Sequence, residues 1–391
     1  MIAKKITIIF ISISLLGFII ADKLVKQKIY SSQIDDFINK NKPFNKKEHL
    51  ITIFIHGTIL PIPSTCALNY SFNKNTPKAS SNYQKYLDYL RDEIYSVCQP
   101  NLGLGLKKIN IEEEKNKKNN INYLYIKTYE QMAKQINHKH NITQSYYVFG
   151  WNGRLDHKKR IQAAEQLYKA LKYEIENIKK TNPNQKIILE LFGHSHGGNV
   201  ILNLASIEEK FNKKLLIDKI ILLGTPIQSE TKNYIFSNIF KKIYNIYSKG
   251  DMIQVVDILS TKDSISQRKI RLNKKCNKLT QIQVQAGKMN PRHTELWLWG
   301  DRSPIIFRKN TPYYPFPVAV FLPIIIHNIE KNFTNAEEIK LDITKNDNNC
   351  LNFTFFDKTA TNSNFKKTNS KHLYTLSNIE YLKNQIKQKI L

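Results

Sequence analysis

The chain has 391 residues, 41% of them apolar and 24% charged, with 60 Lys and Arg against 32 Asp and Glu for a net charge of +28. That apolar share suffices for a core, which excludes a wholly disordered or fibrous protein, and the length suits two domains or one large domain with additions. The cation surplus admits an anionic membrane surface or an acidic substrate as partner. Lys is spread along the whole chain, Arg is scarce, and neither zinc-ligand spacing nor an RNA-binding aromatic motif occurs, so no nucleic acid and no metal are expected.

Lys4 and Lys5 precede an uncharged apolar run at residues 6–21, and polarity resumes at Asp22. This pattern predicts either a cleaved export signal ending at Ala21 or a retained membrane anchor, although the run is short of the ~20 residues of a full span. Residues 22–46 read as a Lys-rich linker. His49–Ile55 is a nearly continuous apolar run of the kind buried in a parallel sheet, and it leads into His56-Gly57-Thr58. Residues 61–120 read as an insertion or lid, with a helix near Tyr83–Val97 and a polar loop at 107–120.

Further strands are expected at Tyr123–Lys127 and Ser145–Phe149, the latter ending in Gly150-Trp151-Asn152-Gly153. Apolar residues at helical spacing predict a helix over Lys158–Lys180. Strand Lys186–Phe192 is followed by a helix over Asn199–Ser206. Strands at Lys219–Leu223, Ile243–Tyr247 and Gln281–Gln285 complete the alternation, which argues for an α/β fold with a mostly parallel sheet flanked by helices over residues 47–331. Glu338–Thr344 and Cys350–Phe356 read as a hairpin within a small C-terminal appendage, residues 332–391. The four cysteines, at 66, 98, 276 and 350, lack C-x-x-C spacing. They fit disulfides, with Cys66–Cys98 the nearer pair, or unrelated thiols.

Gly193-His194-Ser195-His196-Gly197 satisfies G-x-S-x-G between a strand and a helix, the setting of a nucleophile elbow. A strained turn there lifts the serine above the sheet edge, at a helix N-terminus that favours negative charge. Chain geometry directs His194 and His196 away from Ser195, so their rings are expected to pack or hydrogen-bond locally.

With these residues the chain resembles the lipase- and esterase-like members of the α/β-hydrolase superfamily, over roughly residues 48–300. The resemblance implies the order nucleophile, acid, histidine, carried here by Ser195, Asp251 and His293. Asp257 is the rival acid, and His327 the alternative base, read first as a packing residue. It also implies an oxyanion hole from the backbone N–H groups of Thr58 and His196, with His56 holding the loop. Trp151 and Asn152, at another strand end, are candidate pocket residues. The implied function is hydrolysis of carboxylic esters, lipid acyl esters foremost, without a cofactor. Thioesterase, amidase and transacylase chemistry fit the same triad, and an inactive membrane-surface binder is the reading from another class. The apolar segment Phe307–Ile326 either flanks an acyl groove or completes the core.

Overall fold

β1 (Glu48–Ile55) carries alternating Ile51, Ile53 and Ile55 on one face and Thr52 and Phe54 on the other, all buried. A strand apolar on both sides needs cover on both, which a parallel sheet between helices supplies. In the computed structural model β1 pairs in parallel with β3 (Ile142–Gly150) on one side and β4 (Lys186–His194) on the other. The structure describes residues 48–58, 104–110, 142–255 except 213, 266–297 except 288, 318–345, 351–359 and 367–372, with positions 126, 129, 130, 132–134 and 136.

Beyond β4 the sheet continues in parallel through β5 (Ile217–Leu223), β6 (Phe240–Tyr247), β7 (Leu279–Gln285) and β8 (Glu338–Lys345). Antiparallel strands close its ends: β2 (Gly105–Ile109) beside β3, and β9 (Leu351–Asp357) and β10 (Lys367–His372) beyond β8. The order is β10-β9-β8-β7-β6-β5-β4-β1-β3-β2. The mostly parallel α/β sheet expected from the sequence is therefore present.

One face is covered by α1 (His157–Thr181) and α2 (His196–Phe211), whose Ala164, Leu167, Val200 and Leu204 pack with Ile51, Ile53 and Leu191. Asp156 caps α1 by accepting from the Lys158 N–H at 2.8 Å, and Lys179 and Lys180 close its last turn, where cations suit the dipole. The other face lies under α3 (Leu322–Asn332), which buries Ile324, Ile325 and Ile329 with Phe54, Phe192 and Ile246.

Several expectations change. Ile126 lies in helix, as do Tyr129, Met132 and Ala133, not in a strand at Tyr123–Lys127. These buried positions recur every three to four residues, and that period outweighs a short apolar alternation. Residues 105–109, inside the expected 61–120 insertion, form the edge strand β2. The C-terminal hairpin exists as β8 and β9, but it is no separate appendage. β8 pairs with β7, while Ile339, Leu341, Phe353 and Phe355 join the cluster around Phe321 and Phe333. Burial of that apolar face fuses the hairpin to the sheet. Residues 318–326 of the apolar segment complete the core, whereas 307–317 lie outside the described residues. Also outside are the segment at 6–21, the linker, the helix near 83–97, Asp257, and Cys66, Cys98 and Cys350; Cys276 is a free, half-buried thiol. No helix among the described residues is long and apolar enough to cross a membrane.

Candidate active site

Ile55 and Gly193 face each other across the β1–β4 ladder. The next residues of both strands, His56-Gly57-Thr58 and His194-Ser195, thus leave the sheet side by side. Ser195 occupies the N-cap of α2 with φ 52° and ψ −129°, a region that glycine tolerates and serine does not favour. Its N–H donates to the Leu223 carbonyl at 2.8 Å, which ties the elbow to the end of β5. Two glycines permit this crowding. A Cβ on Gly197 would stand 2.5 Å from the Ile55 oxygen, and one on Gly57 would stand 2.6 Å from the Ser195 Cβ.

Asp251 follows β6 and is fully buried. Its Oδ2 accepts from His293 Nδ1 at 2.7 Å, and its Oδ1 accepts from the Gln254 N–H at 3.1 Å. Arg268 Nε donates to its backbone carbonyl at 2.9 Å. A His293 that donates from Nδ1 carries its basic lone pair on Nε2, the tautomer that general-base chemistry requires. Gly224, next in chain to the Leu223 that holds Ser195, packs against both members of the pair: a Cβ there would meet Asp251 Oδ2 at 3.0 Å and His293 Nδ1 at 3.3 Å. The strand ends thus gather Ser195, Asp251 and His293 at one sheet edge.

His194 takes a defined place beside this pair. Its Nε2 bonds the His293 carbonyl at 3.1 Å, and its ring lies parallel to Trp297 at 5.5 Å. Burial, reinforced by the neighbouring His293, holds its pKa well below the ordinary histidine value, so the ring is neutral and Nε2 carries the donated proton. The His196 ring is occupied by Asn199, whose Nδ2 donates to its Nδ1 at 3.3 Å and to the Pro226 carbonyl at 3.0 Å. His196 is the first residue of α2, so its backbone N–H lies at the helix N-terminus. Thr58 follows Gly57, half-buried.

His56 donates from Nδ1 to the Gly57 carbonyl at 2.7 Å and accepts the Trp151 N–H on Nε2 at 3.0 Å. Trp151 returns its indole N–H to the His56 carbonyl at 2.8 Å and stacks on the imidazole at 5.7 Å. At 1% exposure Trp151 is a brace behind the His56–Thr58 strand end, which corrects the expectation that it lines a pocket. Asn152 is half-buried, and its Oδ1 accepts the Arg154 N–H at 3.2 Å and closes a turn. His327 is exposed on α3, because the buried face of that helix runs through Ile324, Ile325, Asn328 and Ile329. It borders a separate cavity with Glu190, Lys219 and Glu330.

Sequence reasoning missed Trp297, Gln254 and Arg268. The four-residue step from His293 to Trp297 was the one available signal. Gln254 and Arg268 show their roles only through contacts with the acid loop. Among the described residues, no group of three or more His, Cys, Asp and Glu side chains converges to hold a metal ion.

No family model matches this chain, and no curated protein matches it. A candidate cell surface hydrolase from Lactobacillus plantarum is similar in structure over 88% of this chain and 97% of its own, at 11% identity and a TM-score of 0.25. A score that low carries no argument about the site, so its reading rests on the geometry above.

Proposed function

We propose that the chain is a serine hydrolase of carboxylic esters, with lipid acyl esters as its substrate class, acting through an acyl-enzyme on Ser195. The observation that carries this reading is the Asp251–His293 hydrogen bond of 2.7 Å, beside a serine held at φ 52° on the same sheet edge. Lipid as the acyl source extends the resemblance of the elbow and its flanking motifs to lipases.

In the reaction, Ser195 Oγ attacks the ester carbonyl carbon while His293 Nε2 takes the hydroxyl proton. The carbonyl oxygen becomes an oxyanion facing the backbone N–H groups of Thr58 and His196, each donor contributing about 3 kcal/mol to the barrier's reduction. Collapse breaks the bond to the alcohol oxygen, and His293 returns its proton to that leaving group. Water then attacks the acyl carbon, giving a proton to His293, and the acid leaves as Ser195 recovers its hydrogen. Asp251 keeps the imidazole oriented and stabilises its charged form throughout.

A fluorophosphonate probe tests the reading. Labelling of the wild type and its loss in Ser195→Ala support it, while folded wild type that resists labelling overturns it. Export belongs to the same proposal, from the basic start and apolar run at residues 4–21. N-terminal sequencing checks it: a start near Asp22 marks a cleaved signal, and an intact terminus in the membrane fraction marks an anchor. An intact protein free of membrane overturns export.

A further inference from the structure

Against the acid loop lies a cleft of about 540 Å³ whose described lining residues include Lys249, Arg268, Lys269, Arg271 and Lys358 and no carboxylate. Lys269 and Lys358 are partly neutralised by Glu338, at 2.6 and 3.1 Å. Burial works against the Glu338 charge, but these two lysines outweigh it and hold the carboxyl below its usual range. Among the described residues, Glu338 is thus paired with two of these five cations. Lys249 and Arg271 are exposed at the mouth, and Arg268 reaches from the cleft to the Asp251 carbonyl. An occupant bonded to Arg268 would sit directly against the proposed catalytic acid loop.

Composition does not account for this cluster. The chain's cation surplus is lysine, and it has eight arginines in 391 residues, two of which line this cleft. A guanidinium offers a planar fork of donors that matches a phosphate, which a lysine ammonium does not. Tyr247 and Gln283 add neutral polar groups to the floor.

We infer that this cleft is a subsite for the phosphate of an ester's head group, so that the site selects phosphate-bearing lipid esters over neutral ones. The inference rests on the ester-hydrolase reading of Ser195. The cleft chemistry alone would also suit free phosphate, and the experiment separates these sources.

The full chain is assayed at fixed ionic strength on a 1-acylglycerol 3-phosphate and the 1-acylglycerol of the same acyl chain. Lys249→Gln/Arg271→Gln changes exposed side chains and is expected to raise the KM ratio of phosphate ester to neutral ester about tenfold or more, the effect of losing charged hydrogen bonds. Lys179→Gln/Lys180→Gln removes the same charge from α1 and leaves the ratio as in wild type. Inorganic phosphate should inhibit wild-type turnover of the phosphate ester competitively, and the cleft variant should lose that inhibition. A ratio unchanged in the cleft variant, or raised equally in the α1 variant, overturns the inference. Calorimetric binding of inorganic phosphate that the cleft variant loses, without any change in ester ratio, makes the cleft a free-phosphate site and overturns the substrate assignment. Turnover of neither ester while phosphate binding persists overturns the hydrolase reading and leaves the cleft an anion site.

Discussion

His194 Nε2 donates to the backbone carbonyl of His293 across 3.1 Å, so the residue before the proposed nucleophile holds the residue proposed as base. The ring is clamped from the other side by Trp297, nearly parallel to it at 7°. Nucleophile and base are thus registered through one neutral imidazole as well as through the sheet.

His194→Phe keeps the stack and deletes the donor. We expect kcat on a p-nitrophenyl ester to fall about tenfold, the scale of one buried hydrogen bond, with KM unmoved. His194→Gln, which can still donate, should recover part of the loss. Steady-state kinetics decide; an unaltered kcat in His194→Phe would show that the carbonyl contact does not position the base.

The same burial makes stability depend on pH. Burial lowers the folded pKa of His194, and also that of His49, below the ordinary 6.5. Between the two values the unfolded chain takes up protons that the folded protein refuses, so stability falls as pH drops below about 6.5. Thermal unfolding from pH 8 to 5 should show this decline, and His194→Phe should flatten it. A Tm that rises on acidification would reverse the sign.

Ser195 holds a positive φ that a side chain makes costly. Ser195→Ala and Ser195→Gly should both lose at least about 10,000-fold in kcat. The glycine variant should be about 1 kcal/mol more stable than the alanine variant, because it adopts that conformation freely. Differential scanning calorimetry of the two dead variants makes the comparison; equal Tm values would mean that the turn stores no strain.

Asp251→Asn should reduce kcat by about 10,000-fold, since the amide no longer favours the catalytic tautomer of His293. Trp151→Phe tests the brace behind His56. It leaves the His56 carbonyl without its indole donor, and should cost about 1–3 kcal/mol of stability and lower kcat. A rise in KM alone would return Trp151 to the substrate pocket.

The parallel core was legible because β1, β3, β4, β5 and β6 are apolar on both faces, and such runs read as buried strands whatever surrounds them. The elbow was legible for a similar reason: Gly193, Gly197 and Ser195 answer steric demands made within a few residues. Trp151 misled because a strand-end aromatic has the same local signature whether it meets a substrate or a neighbouring loop. Its partner, His56, lies 95 residues away in the chain. β2 was hidden by its composition, since Lys107 and Lys108 on an exposed edge strand look like loop. The hairpin was legible as a hairpin, while its attachment to β7 depends on a pairing that no local pattern encodes.

The rung joining Ile55 to Gly193 bears on how this molecule can change. Parallel strands stand about 4.8 Å apart, and that spacing, not the chain running from Thr58 to β3, sets the approach of Gly57 to Ser195. The nucleophile is therefore placed relative to His56 and Gly57 by strand pairing, not by the length of the connection that follows Thr58. Lineages that keep this rung inherit the spacing of the reactive centre however the connections around it diverge.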